Sequence, residues 1–343
     1  MMRSSLILTL SLILSWASTA LAEAPRVTDA EKSVFSTITA PKAPEGVQAK
    51  LVHLGQMLFH EKRISKNHDI SCNSCHTVTK YGVDGEPTSL GHKGQRGGRN
   101  SPTVMNAFGH FVQFWDGRAA DVEAQAKGPV LNPVEMAMPS ADAVVQTLSS
   151  MPGYVKAFQE AFPGEASPIS YDNFAKAVGA FERQLATPSR FDRFLEGDES
   201  ALSDAEKLGL KTYVSTGCTA CHSGALLGGH MYQKLGLVKA WPNQQDQGRF
   251  EETKAEADRM FFKVPSLRNI EKTGPYFHDG QTKDLSTAVK MMAEYQLGRQ
   301  LSEADVASIV AFLKSTTAEP AKQYLETPDL PKSGPTTPAP DPS

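Results

Sequence analysis

The pentapeptide Cys-x-x-Cys-His occurs twice, at Cys72–His76 and Cys218–His222, and the two copies use all four cysteines of the chain. Two thiols three residues apart sit about one helical turn from each other. That spacing lets both bond covalently to the vinyl groups of one haem, and the adjacent imidazole then lies beneath the iron as its first axial ligand. Two covalently bound haem c groups are implied, one held by Cys72, Cys75 and His76, the other by Cys218, Cys221 and His222. A chain of this kind moves electrons, or does chemistry fed by moved electrons.

Residues 1–22 have the pattern of a secretory signal. Arg3 supplies the positive end, Leu6–Trp16 the apolar stretch, and Ala20-Leu21-Ala22 the small-residue cleavage site. The apolar run is short for a membrane span and no second long one follows. The mature protein is therefore expected to have no membrane span and to be exported, in a bacterium to the periplasm. An oxidising compartment also permits disulfides, but two matches to so particular a spacing that together consume every cysteine argue for haem. Zinc would want four ligands, and neither motif has a second Cys or His pair close by. Removing 1–22 takes away one arginine and no acid, moving the formal charge from −3 to −4. That weak acidity speaks against a nucleic-acid binder or a polybasic membrane binder.

The mature length suits two domains, one per motif. The expected divisions are 23–185, then 186–326, then a Pro-, Thr- and Ser-rich tail over 327–343 that reads as disordered. The periodic segments are helical. Val47, Leu51, Leu54 and Leu58 form one apolar stripe ahead of the first motif, and Phe174, Val178, Phe181 and Leu185 form another that ends before Pro188. Ser203 with Glu206 is a capping-box signature opening a helix into the second motif, and Ser302 with Asp305 caps another. No run alternates like a strand. Long irregular stretches cover Lys80–Pro102, Gly128–Pro139 and Met231–Pro275, lengths usually functional or disordered. The fold class is all-α: two cytochrome c-like helical domains with long loops, each wrapped around one haem.

Function depends on the sixth position of each iron. A methionine thioether there raises the potential, a second imidazole lowers it, and an empty position binds small molecules. The free histidines are His53, His60, His68, His92, His110, His230 and His278. His92 lies in a glycine-rich loop, Gly91–Asn100, and is either a solvated loop residue or a ligand that flexible glycines allow to leave. In the second half Met291 and Met292 share a helical segment over Leu285–Gln296. Neighbours there point about 100° apart, so at most one reaches iron; Met231 and Met260 are rivals.

The chain resembles the bacterial di-haem cytochrome c peroxidases. The matching blocks are Leu58–His76, Gly91–Asn106, Gln113–Met136, Cys218–His222, Phe262–Gly280 and Met292–Gly298, in the family's order and spacing. The resemblance implies that His76 is proximal ligand of a low-potential peroxidatic haem, with His92 as a distal ligand that leaves on activation. It places Gln125 and Glu135 in the distal pocket, His222 and Met292 on a high-potential haem, and Trp115 between the haems. Asn100 with the carbonyls of Thr273 and Pro275 would help hold a calcium ion. A homodimer is implied, as are hydrogen peroxide as substrate and a small cytochrome c or cupredoxin as electron donor. The plain alternatives are a surface salt bridge for Glu135 and core packing for Trp115.

Two other functions compete. One is a di-haem electron carrier without turnover. The other is a protein-modifying oxidase like the family's methylamine-pathway relatives, which use a tyrosine on the second haem. Met292 at that position favours the peroxidase, although Tyr295 lies three residues on.

Overall fold

A computed structural model describes residues 25–343; the secretory signal expected over 1–22 lies outside the described residues. In chain order the helices are α1 (Asp29–Lys32), α2 (Gly46–His60), α3 (Cys72–Cys75), α4 (Val122–Leu131), α5 (Ala141–Ser149), α6 (Pro152–Ala161), α7 (Tyr171–Glu182), α8 (Arg190–Leu195) and α9 (Asp204–Thr216). They continue with α10 (Phe250–Thr253), α11 (Leu285–Leu297) and α12 (Glu303–Lys314). The all-helical expectation holds apart from one antiparallel ribbon, β1 (Tyr232–Lys234) on β2 (Phe261–Lys263). Within the stretch expected to be irregular from Gly128, residues 128–131 instead complete α4, with Pro129 inside it.

Apolar burial sorts these helices into two cores. One gathers Leu54, Leu58 and Phe59 of α2, Val130 of α4, Phe158 of α6, and Phe174 and Phe181 of α7. The other gathers Phe191 and Phe194 of α8, Leu210 and Tyr213 of α9, and Ile309, Phe312 and Leu313 of α12. The stripes read from periodicity are these cores, except that Val47 at the start of α2 faces solvent.

Each half uses the same device to bring its motif helix against a later helix. Gly55 of α2 lies so close to α7 that an added Cβ would stand 1.9 Å from the Ala177 carbonyl oxygen. Gly209 of α9 meets α12 in the same way, 1.9 Å from the Ser308 carbonyl oxygen. The next contact is a phenylalanine Cβ in both cases, Phe181 and Phe312, at 2.9 Å. A methyl group cannot fit at either crossing, so the helix axes approach more closely there than a larger side chain would permit.

Both chain ends cross between the cores. Val27 and Phe35 are buried in the second core, and Lys211 of α9 reaches Glu31 and the Arg26 carbonyl. The tail expected to be disordered over 327–343 instead lies along the first half. Arg63 donates to the Pro331 carbonyl (2.7 Å) and to Ser333 Oγ (3.0 Å), Ser150 Oγ lies 2.8 Å from Thr337 Oγ1, and the Asp341 amide donates to the Lys66 carbonyl (2.9 Å). Composition misleads here because prolines hold the strand extended beforehand. Little entropy is lost on docking, and the exposed carbonyls suit Arg63.

Candidate active site around the two haem motifs

The second motif is delivered by α9. Ser203 and Glu206 make the expected capping box, and Gly217 ends the helix in the left-handed region (φ 100°), so Cys218 begins the next turn at once. His222 is half-buried and its pKa is pushed down to about 4, chiefly by desolvation, which keeps the ring neutral and able to bind metal. Its Nδ1 lies 3.1 Å from the Leu227 carbonyl oxygen. A proton given to that carbonyl sits on Nδ1 and leaves the Nε2 lone pair bare. Cys218, Cys221, His222, Trp115 and Met292 line one apolar cleft, with about 1590 Å³ of atom-free space including its open mouth. The donor set and the apolar walls fit a covalent haem.

Among the methionines that compete for this site, only Met292 is on the cleft wall. Met291 accepts from Thr282 Oγ1 at 3.4 Å, and Met260 is buried beside Trp241 and Phe262. Tyr295 packs edge-on against Trp241, with centroids 5.2 Å apart, and does not line the cleft.

The first motif occupies α3, where Ser71 and Ser74 cap each other reciprocally. Desolvation pushes the Cys72 thiol up to about 12 and the Cys75 thiol to about 11, and the charge of Glu135 adds to both. Glu135 is therefore near both thiols. None of the four cysteines is in a disulfide. Nδ1 of His76 is buried with no well-aligned partner. The Gly82 and Pro102 carbonyls beside it favour the protonated ring, but burial outweighs them and holds its pKa down. These donors also fit a haem.

His92 is tied to Glu135 through the backbone, its amide donating to the Glu135 carbonyl at 2.8 Å. Gly91 makes that approach sterically necessary, since a Cβ there would stand 1.9 Å from the Val134 carbonyl oxygen, whereas Gly94 and Gly98 face open space. The loop is held again further on, where the Gly97 amide donates to the Ser89 carbonyl (3.1 Å) and the Asn100 amide to the His278 carbonyl (2.7 Å). The His92 ring is buried; Nδ1 has no partner and Nε2 lies 3.2 Å from the Ser343 carbonyl oxygen. Burial raises the Glu135 pKa, against the nearby charge of Arg118 and a 2.7 Å hydrogen bond from Asn132 Nδ2. Gln125, on α4, is half-buried.

Trp115 belongs to the first half by sequence but packs against the cluster of Trp241, Met260 and Phe262 of the second. Its Nε1 donates to the Asn100 carbonyl at 2.9 Å, and its ring meets His278 edge-on. Asn100 is buried; its amide donates to the His278 carbonyl, its Nδ2 to the Glu86 carbonyl, and its Oδ1 is left as an acceptor. Asn100, Thr273 and Pro275 all line the same cleft. Their hard oxygen donors suit calcium, with no carboxylate among the three.

Sequence reasoning assigned no role to three buried polar groups around these sites, although it counted His278 among the free histidines. Lys263 is 4% exposed, His278 has a buried Nε2 with no partner, and Glu182 of α7 has its pKa pushed up to about 8 by desolvation. Lys263 and His278 fall within the Phe262–Gly280 block. Periodicity carries no sign that a lysine there is buried.

The profile of the family described as di-haem cytochrome c peroxidase matches residues 49–200, and that of cytochrome c matches 207–317. The chain is 46% identical to the cytochrome c551 peroxidase of Pseudomonas aeruginosa, over 99% of both chains. It is 43% identical to that of Nitrosomonas europaea, over 88% of this chain and 89% of the relative. A solved MauG-like protein associated with microbial copper homeostasis superposes with a TM-score of 0.70 at 26% identity, over 86% of this chain and 95% of the other. With two haem c groups as its cofactors, the chain belongs to the di-haem cytochrome c peroxidase family and is a peroxidase.

Proposed function

We propose that the protein acts in the periplasm, reducing hydrogen peroxide to two waters with two protons and two electrons. The electrons come one at a time from a small cytochrome c or a cupredoxin and enter at the C-terminal half. The haems, when bound, supply the one-electron chemistry and the iron at which the O–O bond is reduced. His76 and His222 would hold the two irons, with Met292 a permanent further ligand in the second half and His92 a removable one in the first.

Glu135 takes the first proton from peroxide and returns it to the departing oxygen, a role that suits a carboxyl whose pKa burial raises. Gln125 orients the peroxide without titrating. Trp115, held by Asn100 at the junction of the halves, lies on the electron route. Asn100 with the carbonyls of Thr273 and Pro275 holds calcium there, and the working form is a homodimer.

One observation carries this reading: the unlike surroundings of the two motifs. Met292 lines an apolar cleft with His222, whereas His92 is a buried histidine in a glycine-rich loop, its amide tied to the Glu135 carbonyl. Steady-state peroxide reduction with reduced cytochrome c, comparing oxidised and half-reduced enzyme with calcium present, tests it. His92→Gly should be active without prior reduction. A variant that still needs prior reduction removes His92 from the switch, and no peroxide consumption under any condition ends the reading.

A further inference from the structure

We propose that Lys263, gripped by His110, is the counter-ion seat for a propionate of the C-terminal haem and raises the potential of that haem. The inference rests on the two-haem reading above and assigns a role to residues that reading does not use. Lys263 is on β2, 4% exposed, and its Nζ lies 2.8 Å from His110 Nδ1. That imidazole is its one side-chain partner among the described residues, and no carboxylate comes within ion-pair distance of it. Asp116, whose charge it feels, is already paired with both Arg99 and Arg118. A buried ammonium without an anion is strongly unfavourable. Desolvation accordingly pushes its pKa down to about 7 in the protein alone.

The missing anion has an obvious position. Lys263 and His110 both line the cleft that holds Cys218, Cys221 and His222. Because His110 Nδ1 faces the ammonium, the ring proton sits on Nε2, which is buried and has no acceptor. A buried ammonium with no anion beside it and an imidazole N–H with no acceptor therefore meet at the wall of a haem cleft, and a propionate supplies a negative charge with two acceptor oxygens.

The seat is rigid and spans the halves. The Phe111 amide donates to the Gly229 carbonyl (2.9 Å), the Gly229 amide to the Val264 carbonyl (2.8 Å), and the Lys263 amide to the Trp115 carbonyl (2.7 Å). A Cβ on Gly229 would stand 2.5 Å from His110 Cδ2, so only glycine leaves room for that ring. A fixed positive charge beside the propionate favours the reduced iron and raises its potential.

The test uses the holoprotein with Lys263→Met, Lys263→Arg and His110→Ala. Each haem's potential is read by spectroelectrochemistry, and propionate hydrogen bonding by the propionate-bending band in resonance Raman. Lys263→Met should weaken electron uptake at the C-terminal haem about tenfold, about 59 mV for a one-electron couple, and should shift the band. Lys263→Arg should stay near wild type, and His110→Ala should move both readouts less, in the same direction. Unchanged potentials and band in Lys263→Met with both haems attached overturn the proposal. If Lys263→Met does not load haem, unchanged readouts in His110→Ala overturn it equally. Failure of the two-haem reading itself is distinguishable, because the mass of the wild-type holoprotein would then lack two thioether-linked haems.

Discussion

In the C-terminal half, His222 gives Nδ1 to the Leu227 carbonyl and shares an apolar cleft with Met292. In the N-terminal half the same pentapeptide has a buried His76 Nδ1 without a partner, a glutamate close enough to perturb both thiols, and a histidine on a glycine-anchored loop. The helix crossings beneath the two motifs are nearly identical, down to the glycine and the phenylalanine beside it. One scaffold thus carries two unlike distal environments. The difference lies in the loops laid over the scaffold, and the division of labour proposed above needs such a difference: one side closed by a thioether, one side able to open.

The largest expected effect breaks the comparison on the N-terminal side. Glu135→Gln should lower peroxide turnover about 10²–10⁴-fold, with haem content and both potentials retained; undiminished turnover would make the two distal sides chemically equivalent after all. A structural contrast comes next. Arg268 is fully buried and paired bidentately with Asp192 in the C-terminal half, with N–O distances of 2.5 and 2.9 Å. Arg268→Met strands that carboxylate and should destabilise the protein by about 3–5 kcal/mol. In thermal unfolding the C-terminal haem's native absorption band should shift first, and simultaneous shifts at both haems would show that the halves do not unfold separately.

The smallest effect is a pH dependence that sharpens the contrast. Burial favours the protonated form of Glu61, but hydrogen bonds from Arg63 and Tyr154 outweigh it and hold the pKa below its ordinary 4.5. Glu206 follows the same pattern with Arg190 and Ser203, and is less buried. Carboxylates with depressed folded pKa values contribute stability that is complete above their unfolded pKa and disappears as pH falls through the folded one. Acid should therefore destabilise both halves as pH falls below about 4.5. Glu61→Gln should flatten the acid limb of the N-terminal half in pH-dependent unfolding, and an unaltered limb would count against it.

The haem motifs, the capping box at Ser203, the helix from Leu285 and the apolar stripes of α2 and α7 were all legible because they rest on local spacing. Val47 faces solvent because a stripe read by period cannot say where along the helix its partner begins. The tail over 327–343 was misread because composition reports the lack of core-forming residues, not the presence of Arg63 and Lys66 positioned to receive an extended chain. Met292 was one of several methionines until the cleft wall separated it from Met291, which bonds Thr282 instead.

By itself the sequence determined that two haems are attached and that helices surround them, since both follow from neighbours a few residues apart. Tertiary structure alone decided that Lys263 meets His110 across 153 positions of chain, that Trp115 sits among residues of the other half, and that one loop is pinned at Gly91. Those facts depend on burial and close approach between distant segments, and no local pattern of residue types encodes either.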